Sequence, residues 1–224
     1  MLYKYGVTDP ILSTTTYRCV AQWYSNCLQN SDMGVRISPH LLRIYERILI
    51  TMSKRRCSEN WISPTYGEME IQDIPNYIRS YYERMKEFDT GIHITIGTDS
   101  QNFDYTKEVN VIAVICEGHG GIFFYKVNSR DRISDVRTKL QMETGDSLEI
   151  AEQLISILET KEYENVFLNT EFSIHIDAGY SDKGKTKELI PELVGWVKGC
   201  ISNCEVHVKP DSYVASTIAD KISK

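Results

Sequence analysis

Two aspartates sit where carboxylates are uncommon. Ile96-Gly97-Thr98-Asp99-Ser100 and His175-Ile176-Asp177-Ala178-Gly179 each close an apolar run with an Asp beside small residues. Carboxylates are poor strand formers, and open sheets present functional groups at the carboxyl ends of parallel strands. If these two strands are parallel neighbours, their carboxylates converge. Like charges held close call for a hard cation with oxygen ligands between them. Taken singly, each Asp could instead cap a following turn. A third carboxylate can come from the helical stretch 132–160, where Glu143, Asp146, Glu149 and Glu152 are candidates. Glu149 and Glu152 flank the apolar stripe Leu148, Ala151, Ile155 and Leu158. Asp146 and Glu149 also have capping-box spacing, and Glu143 could pair with Lys139 four residues earlier. A fourth candidate, Asp211, opens the last helix, where capping is the default role. Asp220 lies nearly three turns further on, so Asp211 is the better placed of the two.

The elements that must position these groups follow from periodicity. Ile92, Ile94 and Ile96 alternate with polar or small residues and predict a strand with one buried face. Residues 109–116 (VNVIAVIC) and 122–127 (IFFYKV) predict two further strands joined through the glycine turn 117–121. The stretch 132–160 reads as helix with a break at Gly145. Residues 172–176 (FSIHI) read as a fourth strand, 186–200 as a helix, 205–208 as a fifth strand and 212–222 as a closing helix. The order β-β-β-α-β-α-β-α gives an α/β fold, a mixed five-stranded sheet flanked by helices. Upstream, Pro39 to Met52 predicts a helix that runs into the basic Lys54-Arg55-Arg56, and Ser63 to Gly67 predicts a turn. Ile71 to Phe88 predicts an amphipathic helix whose tyrosines belong to the core more readily than to stacked bases. Residues 1–60 read as an N-terminal helical extension and 61–224 as the main domain, with its sheet core from about residue 92.

With these elements in order, the chain resembles the ribonuclease H fold, and more closely the YkuK-like family of RNase H-like proteins. The matching segments are IGTDSQ (96–101), ETGDSLEIAEQL (143–154), HIDAG (175–179), GKTKELIPELVGWVKG (184–199) and KPDSYVASTIADK (209–221). The resemblance implies a metal-dependent nuclease that hydrolyses phosphodiesters with two Mg²⁺ or Mn²⁺ ions. It implies Asp99, Glu149, Asp177 and Asp211 as catalytic and metal-binding residues, with Glu143 and Asp220 as alternates. Nucleic acid, whether RNA, DNA or a hybrid, is then the expected substrate. Lys183, Lys185, Lys187 and Arg137 could neutralise its phosphates, and Arg130, Arg132 and Lys139 could extend that basic strip. Two other readings compete. An RNase H fold can serve as a non-catalytic nucleic-acid-binding or scaffold module. Gly179 to Thr186 also satisfies GxxxxGK[ST] between a strand and a helix, as a nucleotide-binding P-loop would, but no acid-ended strand follows it.

Composition narrows the classes further. The 224-residue chain carries 25 Lys and Arg against 31 Asp and Glu, a formal net charge of −6, which argues against coating nucleic acid by bulk charge. Local acidity is what a carboxylate metal site requires. No apolar run suffices for a membrane span, and the N-terminus lacks a secretory apolar core. The six cysteines form no CxxC. Reduced thiols and a cytoplasmic location are the expectation. A zinc site from Cys200, Cys204 and His207 lacks a fourth ligand. His175 and His207 read as sheet or core histidines.

Overall fold

The computed structural model describes residues 56–57, 60–88, 90–180, 186–212, 217–218 and 221–222. The helix expected over Pro39–Met52 and most of the basic run after it lie outside these residues, as do Lys183, Lys185 and Asp220. The described strands are β1 (Arg56–Cys57), β2 (Trp61–Ser63), β3 (Gly67–Met69), β4 (Ile92–Asn102), β5 (Tyr105–Cys116), β6 (Gly120–Asp131), β7 (Glu171–Gly179) and β8 (Cys204–Lys209). The helices are α1 (Ile74–Met85), α2 (Val136–Leu158), α3 (Glu164–Leu168) and α4 (Ile190–Cys200). Seven strands run in the order β3-β2-β6-β5-β4-β7-β8, and the short β1 also pairs with β6. The five-stranded expectation is therefore too small, because β1–β3 extend the sheet beyond β6. Strands of two or three residues carry too little alternation to be read from sequence. The turn at Ser63–Gly67 is present as expected and joins β2 to β3, with Gly67 at φ +84°.

β4, β5 and β6 form an antiparallel meander, while β4 pairs with β7, and β7 with β8, in parallel. Asp99 and Asp177 thus stand on neighbouring parallel strands, as the strand-end reading requires. One face of the sheet, with Ile94, Ile96, Ile112, Val114, Phe124 and Ile174, packs against helices to make the main core. On the other face Val109, Val111 and Ala113 pack with Ile218 and Ile222. Those two isoleucines lie in the described parts, 217–218 and 221–222, of the expected closing helix. The tyrosines of α1 belong to the core: Tyr81 and Tyr82 are buried, and the Tyr81 hydroxyl donates to the Gly120 carbonyl at 2.8 Å.

α2 differs from expectation in two ways that matter for the site. It starts at Val136, where the Asp135 carboxylate accepts from the Thr138 amide at 2.8 Å and the Thr138 hydroxyl at 2.7 Å. Those hydrogen bonds hold the Asp135 carboxyl below its usual range. The helix then runs unbroken through Gly145. A Cβ at Gly145 would approach the Trp196 ring to 3.1 Å, so this glycine serves close packing of α2 on α4 rather than a break. Asp146 accordingly opens no helix; it lies buried in the middle of one.

Candidate functional site

Strand alternation sets the site. Along β4, Thr95, Gly97 and Asp99 share one face; along β7, Ser173 and His175 share it, and the register with β8 then shifts between Ile176 and Gly179, the stretch that carries Asp177. The register is fixed across the strands by a hydrogen bond of 2.9 Å between the Thr95 and Ser173 hydroxyls. The alternate residues Thr98 and Ser100 point to the opposite face, where α2 packs. The Ser100 hydroxyl donates to Glu143 Oε1 at 2.7 Å, and Ser147 bridges Thr98 Oγ1 and the Glu143 carbonyl at 2.9 Å each. Asp99 is therefore held by clamps on the residues before and after it, both tied to α2.

Glu143 approaches from the α2 face of the sheet and is the helix carboxylate whose titration feels the charges of Asp99 and Asp177. Burial, helped by the charges of Asp99 and Asp177, pushes its pKa up to about 8 against the lowering effects of Lys139 and the Ser100 hydroxyl. Glu149 lies six residues further along the helix, about 9 Å at the ordinary rise. Its carboxylate instead accepts from the Gln153 amide at 3.4 Å and repels Glu152, whose pKa burial and this charge lift to about 7. Asp211 is exposed and borders a cavity of about 460 Å³ on the open sheet face, shared with His93, His175, Glu205 and His207. His175 is buried there against His207, ring centroids 5.1 Å apart, and burial lowers its pKa to about 4.

Two lysines answer the three carboxylates. Lys209 Nζ stands 2.6 Å from Asp177 Oδ1 as an ion pair; that oxygen is closed to solvent and accepts no well-angled hydrogen bond. Lys139 Nζ lies 3.7 Å from Glu143 Oε1 and donates to the Ser100 carbonyl. Among the described residues, no three His, Cys, Asp or Glu side chains converge tightly enough to hold one ion. The donor set itself, all carboxylate oxygen with one buried oxygen lacking a proper donor, suits a hard divalent cation.

Beneath the site lies a buried polar network that sequence reading missed. Arg130 pairs with Glu108 and, at 2.6 Å, with Asp146, all three essentially inaccessible to solvent. Asn110 and Asn128 donate to Glu108 Oε1 at 3.2 and 3.1 Å, and Asn110 also donates to Thr98 Oγ1 at 2.9 Å. Arg130 is thus no part of a surface basic strip. The missed signal is phase: Glu108 and Asn110 stand in register with inward Ile112 and Val114, and Asn128 and Arg130 with inward Ile122 and Phe124.

A family model for ribonuclease H-like proteins matches residues 71–224. The chain belongs to the ribonuclease H-like family. It is also similar to the uncharacterized protein YkuK of Bacillus subtilis (strain 168), 30% identical over 166 residues, covering 70% of this chain and 93% of that one. No solved structure matches it. The five core strands of this ribonuclease H-like chain run β6-β5-β4-β7-β8, with the paired aspartates on the two central parallel strands.

The remaining expectations sort around this site. Arg137 pairs with Glu192 at 2.7 Å, so binding a phosphate there competes with an internal partner. Lys187 is exposed in a short 3-10 turn (Lys187–Leu189) before α4. Of the Gly179–Thr186 motif the ends are described: the Thr186 hydroxyl donates to the Gly179 carbonyl at 3.0 Å. Cys116 and Cys204 are free, whereas Cys200 is disulfide-bonded, which departs from reduced thiols throughout. Burial lifts the Cys204 thiol to about 11, opposite to what a zinc thiolate needs. No described helix is long and apolar enough to cross a membrane.

Proposed function

We propose that this ribonuclease H-like chain is a metal-dependent nuclease whose metal-holding carboxylates are Asp99, Glu143 and Asp177. The observation that carries this reading is that Asp99 and Asp177 stand near the same end of the neighbouring parallel strands β4 and β7, with Glu143 hydrogen-bonded to Ser100 beside Asp99. Bound Mg²⁺ or Mn²⁺, two ions in this reading, would supply an activated water and stabilise the leaving oxygen. Everything else falls to the protein. Asp99 is centred by the Thr98 and Ser100 clamps. Glu143 gives up its proton to act as a ligand, and Lys209 swings from Asp177, which its half-exposed stem permits. The freed ammonium is then placed to neutralise a phosphate. Asp211, just past β8, remains a candidate to complete the set, and Lys183, Lys185 and Lys187 remain candidates for backbone contact.

A nuclease panel tests this reading. Single-stranded, duplex, hybrid and branched substrates are incubated with Mg²⁺ or Mn²⁺, beside Asp177→Asn and Asp99→Asn controls. Cleavage by the parent is expected to fall about 100-fold or more in either control. Undiminished cleavage in both would place the activity elsewhere. The Lys209–Asp177 ion pair favours one rival, a non-catalytic nucleic-acid-binding module, because it neutralises a carboxylate without any metal. That module would bind the same substrates and cleave none.

A further inference from the structure

The carboxyl ends of β4 and β7 lie at one end of the sheet because the strands are parallel, and the β4–β5 hairpin tip lies there as well. Three large aromatic side chains stand in solvent at this end. Phe103 and Tyr105 on the hairpin tip are each 47% exposed, and Tyr180, just past Gly179, is 56% exposed. The other described aromatic of comparable exposure, Phe88, is stacked on His119 in the turn between β5 and β6, at the opposite end. Phe103 and Tyr105 have ring centroids 5.9 Å apart.

The tip is braced rather than loose. The Phe103 amide donates to the Tyr105 carbonyl at 2.7 Å. The Asn102 side chain donates to the Ile133 carbonyl at 2.8 Å and accepts from the Thr106 hydroxyl at 2.8 Å; Thr106 Oγ1 in turn accepts the Ile133 amide at 2.9 Å. Aromatic surface left in water on a fixed scaffold is a prepaid stacking platform, since little ordering is left for a partner to impose. Asp104 and Asp131 offset Arg132 at this tip, so charge attraction does not dominate it.

We propose that Phe103 and Tyr105 form a stacking platform for unpaired nucleobases of a single strand whose backbone runs on to Asp99 and Asp177. Paired bases offer their edges, whereas this platform needs a face. Phe103 follows Asp99 by four residues, about 13 Å along the strand, or roughly four nucleotides at stacked spacing. The proposal deepens the nuclease reading and rests on it.

The test measures anisotropy of a labelled oligothymidine and of a matching duplex, with the Asp99→Asn chain to prevent cleavage, at low and high salt. Phe103→Ala and Tyr105→Ala are expected to weaken single-strand binding about tenfold each, by the same factor at both salt levels, with little change for duplex. Phe103→Trp is expected to restore affinity and Phe103→Leu is not, because stacking needs a flat ring. Unchanged single-strand affinity in both alanine variants, or rescue by Leu, overturns the platform and leaves the nuclease reading standing. Failure of the parent chain to bind or cleave any nucleic acid overturns both.

Discussion

Glu143→Gln is expected to stabilise the metal-free protein at pH 8 and, in the nuclease reading, to abolish the proposed divalent-cation binding. Glu143 is protonated in the folded chain up to about pH 8 and in the unfolded chain only up to an ordinary glutamate pKa near 4.5. Between those values the folded state binds one proton more, so stability falls as pH rises. Its contribution is complete below about 4.5 and is lost as pH climbs through 8. Glutamine carries no proton to lose and removes that slope. In chelator, thermal melts should show the variant gaining stability over the parent at pH 8 and little at pH 5. The same substitution removes a proposed metal ligand and, in the nuclease reading, should cost activity about 100-fold or more. Groups held at a cost to stability and needed for chemistry show these opposite signs; a merely structural glutamate would lose both together. A variant with parental activity contradicts the assignment.

Arg130→Ala should unfold the site from below. The guanidinium is the cationic partner of Glu108 and Asp146, and deleting it leaves two carboxylates buried without it. Breaking a buried ion pair from one side costs about 3–5 kcal/mol, which urea denaturation would read directly. Combining Arg130→Met with Glu108→Gln and Asp146→Asn should recover most of that loss, because no uncompensated charge remains. Since Asn110 and Ser147 link this network to Thr98 and the Glu143 carbonyl, the recovered triple variant tests its positioning role. It should show weakened Mn²⁺ binding at near-parental stability. A loss below about 1 kcal/mol for Arg130→Ala would mean that the triad is hydrated.

The core sheet was legible because β4, β5, β6 and β7 each carry enough alternating residues to declare a face, and the meander followed by alternating units allows few topologies. Asp99 and Asp177 were picked out for the same reason: each lies in the last residues of such a strand, three before the end of β4 and two before the end of β7. Spacing alone left the helix carboxylate open between Glu143 and Glu149, and the resemblance favoured Glu149; the cap at Asp135 puts Glu143, two turns in, level with the end of β4. Asp135 carried the same capping chemistry in sequence, three residues before Thr138, but lacks the Glu that completes a capping box. The short β1–β3 were invisible for want of length. The Glu108–Arg130–Asp146 triad was hidden because its charges suggest surface, although their strand phase points inward.

Calorimetric titration of Mn²⁺ into the parent chain and into Asp99→Asn, Glu143→Gln, Asp177→Asn and Glu149→Gln tests the carboxylate assignment most directly. Saturable binding is expected in the parent and in Glu149→Gln, with loss in the other three. Unchanged binding in Asp99→Asn and Glu143→Gln, or loss confined to Glu149→Gln, would contradict it.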